Sequence, residues 1–249
     1  MGTMQWIEHF RDSVARPREA DWSRGVHLDA ELREPVLRSL QAFQRGLSSP
    51  GTDLRTKVRR GADADYAVAV DLYVQEKNIH ADLLARLLWA AQSEPYTRRW
   101  PDFFFRRLRR RFDWAPEMMI LLTAEMASMP FFRTLANHAG DPLLREVLEG
   151  ILQDQAFHIG FHIDHLRPEM ERRGGKERVV LQHAWGTFFS ATLMVLIQDN
   201  TRVFDALGHQ RIAYWTDAWN LFAQVQSGLH GSRNLGALLG RDPRIRFVV

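Results

Sequence analysis

Cysteine is absent from the 249-residue sequence. That excludes disulfides, thiolate metal sites and thiol nucleophiles together. Histidine, carboxylate and amide groups remain as the donors open to a metal. Strict apolar/polar alternation is nearly absent too, which argues against sheets. No charge of one sign dominates, the formal net charge being +3. The longest strongly apolar run, 185–197, is shorter than the ~20 residues that cross a bilayer. Residues 1–18 are charged throughout and show no apolar signal core. These absences predict a soluble cytoplasmic protein without a transmembrane segment. Hydrophobic residues make up 45% and charged residues 25% of the chain, enough for a full core and not the balance of a disordered one. The length allows one large helical domain or two small ones.

Arginine supplies most of the positive charge. Its densest cluster is Arg98, Arg99, Arg106, Arg107, Arg109, Arg110 and Arg111, interleaved with Trp100, Phe103, Phe104, Phe105 and Phe112. Such a segment suits phosphate or an anionic membrane surface. It equally suits an amphipathic connector whose aromatics enter the core while the arginines stay wet. No second basic face accompanies it, so nucleic acid is not an expected partner.

What the chain does contain is helical periodicity. Leu32, Val36, Leu37, Leu40, Phe43 and Leu47 recur at three- and four-residue spacings until Pro50 ends the run. A short basic segment, 52–60, leads to a second run over about 63–91. A third helix begins near Pro116, a favoured first-turn proline, and Pro130 should kink it or reset its start. Gly140, Asp141 and Pro142 then read as terminator, cap and first turn. The fourth helix is expected from Leu143 to about Arg167, stopping before Pro168. Gly174-Gly175 is a linker. A fifth helix, 179–207, is apolar around most of its circumference, which predicts burial. A Trp-rich amphipathic helix follows over 212–226.

Two stretches carry the chemistry. Glu76-Lys77-Asn78-Ile79-His80 and Asp154-Gln155-Ala156-Phe157-His158 each set an acid four residues before a histidine. Residues three and four apart share a helix face. Glu76, Lys77 and His80 therefore lie together, as do Asp154, Gln155, His158 and His162. Glu125 sits among Leu121, Leu122 and Met129, where a carboxylate wants a cation or a metal. A lone histidine on an apolar helix is ordinarily a hydrogen-bonded core residue. Two at matched places, with Glu125 between them, make a functional site the sharper alternative.

Four segments also carry a resemblance: Gln41-Ala42-Phe43-Gln44-Arg45-Gly46, Gln75-Glu76-Lys77-Asn78-Ile79-His80-Ala81, Leu121-Leu122-Thr123-Ala124-Glu125 and Leu152-Gln153-Asp154-Gln155-Ala156-Phe157-His158. They resemble the ligand-bearing helices of bacterial ferritin-like proteins, the di-iron carboxylate superfamily of ferritins, rubrerythrins, desaturases and di-iron oxygenases. The likeness runs from about Leu32 to His165. It implies an all-α fold, a ferritin-like four-helix bundle over about 30–170 with additional C-terminal helices over about 176–228, in one domain.

Such sites take a glutamate from each of two helices and a Glu-x-x-His pair from each of the other two. Carried onto this chain, the positions correspond to Leu47, Lys77 with His80, Glu125, and Gln155 with His158. Three carboxylates are thus replaced by a leucine, an ammonium and an amide, none of which can bridge two divalent ions. No dinuclear centre is expected. In one reading the bundle carries no cofactor, and Lys77, His80, Glu125 and His158 line a cavity reused for a small-molecule ligand or for metal-independent acid–base chemistry, Lys77 pairing with Glu125. In a second, His80, Glu125 and His158 hold one iron or manganese ion, the donor types of a mononuclear oxygenase. In a third, the chain is a non-catalytic structural or partner-binding protein. A homodimer is compatible with each.

Overall fold

The computed structural model describes residues 1–16, 18–95 and 113–231. The arginine- and phenylalanine-rich connector lies outside them. Among the described residues all regular structure is helical, as the periodicity predicts. The helices are α1 (Thr3–Ala15), α2 (Ala30–Leu47), α3 (Thr52–Gly61), α4 (Ala64–Ala90), α5 (Trp114–His138), α6 (Pro142–Glu171), α7 (Gly175–Asp199), the short α8 (Thr201–Ala206) and α9 (Arg211–Leu229). They fall into two compact units. One comprises Met1–Glu117 with Ala136–Val147, the other Met118–Leu135 with Leu148–Val249.

In the first unit α1, α2 and α3 all pack on α4. Asp63 caps α4 by accepting a hydrogen bond from the Asp65 N–H at 2.9 Å. Tyr66, Val70, Tyr73, Leu84, Leu87 and Leu88 are buried along the helix. Gly51, at the start of α3, has φ +63°. A Cβ there would sit 2.7 Å from Val74 Cγ1, so the left-handed backbone and the close approach both call for glycine. Asp141 joins two segments of this unit. Its carboxylate accepts the Leu144 N–H at 2.7 Å as the N-cap of α6, and the His27 N–H at 2.7 Å. Gly140 before it has φ +78°, the terminator expected between α5 and α6.

The structure departs from the sequence expectation at four places. Residues 1–18 are not merely charged: α1 buries Trp6, Ile7 and Phe10, and Phe10 meets Tyr73 edge-on at 6.1 Å. The basic segment 52–60 is helix α3, held by buried Leu54 and Val58 one turn apart. Pro168 does not stop α6, which continues to Glu171. The Arg172 N–H bonds the Pro168 carbonyl at 3.2 Å, so only the donor that proline lacks is lost. The fifth predicted helix ends at Asp199 instead of 207, and only Trp185, Phe189 and Leu193 of α7 are buried.

The second unit is organised by an aromatic seam between α7 and α9. Phe189 stacks on Phe222 at 4.7 Å, and Trp185 meets the same ring at 5.0 Å. Trp185 Nε1–H donates to Thr123 Oγ1 at 2.7 Å, and Thr123 in turn donates to the Met119 carbonyl. Tyr214 Oη donates to the Ala127 carbonyl at 2.9 Å. Burial pushes the Tyr214 phenol far above its usual range, so it remains a neutral donor.

Phe10 is fully buried. Phe10→Ala should cost about 3–5 kcal/mol, the range for a large aromatic removed from a packed core. Urea unfolding of the full chain checks this. A cost below ~1 kcal/mol would mean that α1 does not contribute to the core.

Candidate functional site

Each unit buries an acid and a histidine. In the first, Glu76 and His80 sit one turn apart on α4 and are both buried. The Glu76 carboxylate accepts a hydrogen bond from Ser13 Oγ of α1. Lys77 is half-buried on the same helix, and Leu47 is the half-buried last residue of α2. Lys57 Nζ forms an ion pair with the buried Glu117 at 2.7 Å.

In the second unit, α5 and α6 bring together a polar set inside apolar surroundings. Glu125 and Ser128 are three apart on α5. Gln155 and His158 are three apart on α6, with His162 one turn on. All are buried, Glu125 to 1% exposure and His158 to 0%. His158 Nδ1 lies 3.2 Å from Glu125 Oε1. Where Glu125 is ionised its oxygen can only accept, and the ring nitrogen facing it is then the one that carries the proton. In a neutral ring the lone pair then resides on Nε2. Beside this pair, Gln155 Nε2–H donates to Ser128 Oγ at 2.9 Å, and Ser128 Oγ–H donates to the Glu125 carbonyl at 3.0 Å. Gln155 Oε1 is buried and accepts no hydrogen bond from the described residues. Turning the amide over would let Ser128 donate to Oε1 but would strand Nε2. One polar atom is left over either way, at a cost on the order of 1–3 kcal/mol if nothing meets it.

The structure therefore joins two of the sequence candidates, Glu125 and His158, in direct contact. Asp154, four residues before His158, is buried as well, but the carboxylate facing His158 Nδ1 is Glu125. Ser128 and Ser13 escaped the sequence reading. A serine three residues after Glu125 on the same helix was the available signal for one of them. Ser13 carries none, because its partner is 63 residues away. Among the described residues, no group of three or more His, Asp or Glu side chains is placed to hold a metal ion.

His165 lies three residues beyond His162 on α6. Burial holds its pKa below the usual imidazole value of 6.5. The hydrogen bond to the Phe161 carbonyl and the charge of Asp164 oppose that shift. The ring packs 4.6 Å from Phe161.

No family model, no curated protein and no solved structure matches the chain.

Two outcomes are expected. Glu125→Gln and His158→Gln should couple by about 0.5–3 kcal/mol in a double-mutant cycle read by urea unfolding, as for residues in contact. Additive effects would mean that the contact has no energetic content. For His165, the folded chain takes up its proton at lower pH than the unfolded chain. Stability should therefore fall as pH drops from 6.5 towards the lowered folded value, and level off below it. His165→Gln should flatten that part of the stability–pH curve, and an unchanged curve would contradict the assignment.

Proposed function

We propose that this chain is a ferritin-like helical protein that has lost the dinuclear iron site and uses its interior polar residues without a metal, to bind a small hydrogen-bonding ligand or to move a proton. The observation that carries this is the pairing of Glu125 with His158 beside the surplus amide atom of Gln155. A metal-bridging carboxylate needs free lone pairs directed at cations. Here one oxygen of Glu125 lies 3.2 Å from His158 Nδ1, and in this proposal that nitrogen carries the proton. An amide stands at 155, where a bridging glutamate belongs in the resemblance. It presents its N–H to Ser128, and an N–H repels a cation. The donor set at these positions does not fit a dinuclear centre.

The same groups suit proton transfer and recognition. Glu125 orients His158 and stabilises the imidazolium it becomes on taking a proton, which makes His158 the acid–base residue and Glu125 its positioning partner. Gln155 Oε1 is an acceptor awaiting an N–H or O–H donor. A small polar ligand carrying such a donor would satisfy it within hydrogen-bonding reach of the set. Apolar surroundings strengthen each of these interactions relative to water.

Zinc titration followed by thermal melting tests the proposal. The wild-type chain should show no stoichiometric stabilisation. Gln155→Glu places a second carboxylate next to Glu125 and His158. It should melt lower than wild type without metal, because two like charges then share a buried site. It should recover with zinc, gaining about 2.7 kcal/mol at a hundred times its dissociation constant. Two metal ions per wild-type chain, measured on protein from iron- and manganese-supplemented cells, would overturn the proposal. So would a Gln155→Glu variant indifferent to metal.

A further inference from the structure

Helix α7 presents an anomaly. No Asp, Glu, Lys or Arg occurs from 179 to 198. Its best 18-residue window has a mean hydropathy of 1.4, yet only 17% of that window is buried. A surface helix normally turns a charged or polar face to water. This helix packs one side on the unit through Trp185, Phe189 and Leu193, and the opposite side bears Val180, Met194 and Val195 at 69%, 56% and 54% exposure.

The exposed side has a register. Val180, Ala184, Thr187, Ala191, Met194 and Gln198 follow one another at alternating steps of four and three, and all are exposed. That is the 3.5-residue seam of paired helices, diametrically opposite the buried Trp185–Phe189–Leu193 face. The centre is small (Ala184, Thr187, Ala191) and the flanks are larger, so a second backbone can approach closely. The ends differ in charge. Lys176, Glu177 and Arg178 stand in the first turn, leaving one positive charge in excess there, and Asp199 closes the last, Lys176 and Asp199 both being exposed.

From these observations we infer that α7 is a self-association surface, on which the α7 of a second copy of this chain docks antiparallel. Antiparallel order sets Ala184 against the second copy's Met194 and Thr187 against its Ala191, small against large or small throughout. It brings Lys176 of each helix towards Asp199 of the other, whereas parallel order would set Lys176 against Lys176 and Asp199 against Asp199. The contact is isologous, the same patch serving both copies, and it closes at two. Side by side over 25 residues, the pair would run about 37 Å. The seam favours a second helix over a bilayer. Thr187 and Gln198 lie within it, His183 flanks it, and the Trp185–Thr123 hydrogen bond holds the helix on its own unit. Nothing in this inference depends on the interior residues Glu125 and His158.

Sedimentation equilibrium of the full chain between about 1 and 100 µM tests it, with vesicles of phosphatidylcholine and phosphatidylglycerol as a second arm. Wild type should be a dimer. Met194→Lys and Ala184→Glu should each raise the dissociation constant at least about tenfold, a change of 1.4 kcal/mol, with helical content intact by circular dichroism. Asp199→Lys alone should weaken the dimer, and adding Lys176→Asp should restore it. A monomer at the highest concentration overturns the inference, whether or not it sediments with vesicles. So does a dimer indifferent to Met194→Lys and Ala184→Glu. A charge exchange that fails to restore association overturns the antiparallel order.

Discussion

A carboxylate buried between helices must have its charge answered. Glu125 is almost completely buried in the second unit, and an isolated ionised carboxylate in such surroundings is among the costliest groups a fold can hold. The His158 ring, 3.2 Å away, is the hydrogen-bond partner of Glu125 Oε1. The neighbouring contacts follow from this one. Ser128 occupies the Glu125 carbonyl, Gln155 occupies Ser128, and the small hydroxyl between the helices lets the amide approach. Removing one partner of a buried pair leaves an uncompensated charge, which typically costs ~3–5 kcal/mol. The polar set therefore holds α5 and α6 in one register within this unit.

Much of the fold is legible in the sequence where apolar periodicity is strong. The helices now numbered α2, α4 and α6 begin where the pattern predicts, and the Gly140–Asp141–Pro142 turn has the predicted cap chemistry. The elements that went unread are short helices in charged surroundings. Trp6, Ile7 and Phe10 bind α1 to α4, but they are outnumbered by charged and polar neighbours. In α3 the basic residues conceal the Leu54–Val58 pair. The misjudged burial of α7 has a different origin. Uniform apolarity predicts burial, yet only Trp185, Phe189 and Leu193 of α7 are buried.

The site divides in the same way. The apolar surroundings of Glu125, and the histidine one turn after Asp154, are sequence features, and both mark buried groups correctly. The Glu125–His158 contact is not a sequence feature. It depends on how α5 and α6 are rotated about their axes, which side-chain packing decides and spacing alone does not. Ser128 joins the set for the same reason.

The proposal places a His158 N–H, rather than a metal ion, at Glu125 Oε1. Nitrogen-15 NMR of histidine-labelled protein tests it most directly, with the His158 signals assigned from a His158→Gln variant. The account predicts a proton on Nδ1, a marked shift of that resonance in Glu125→Gln, and no change on adding excess zinc as a diamagnetic probe. A His158 ring protonated only at Nε2, or one whose resonances move with stoichiometric zinc, would contradict it.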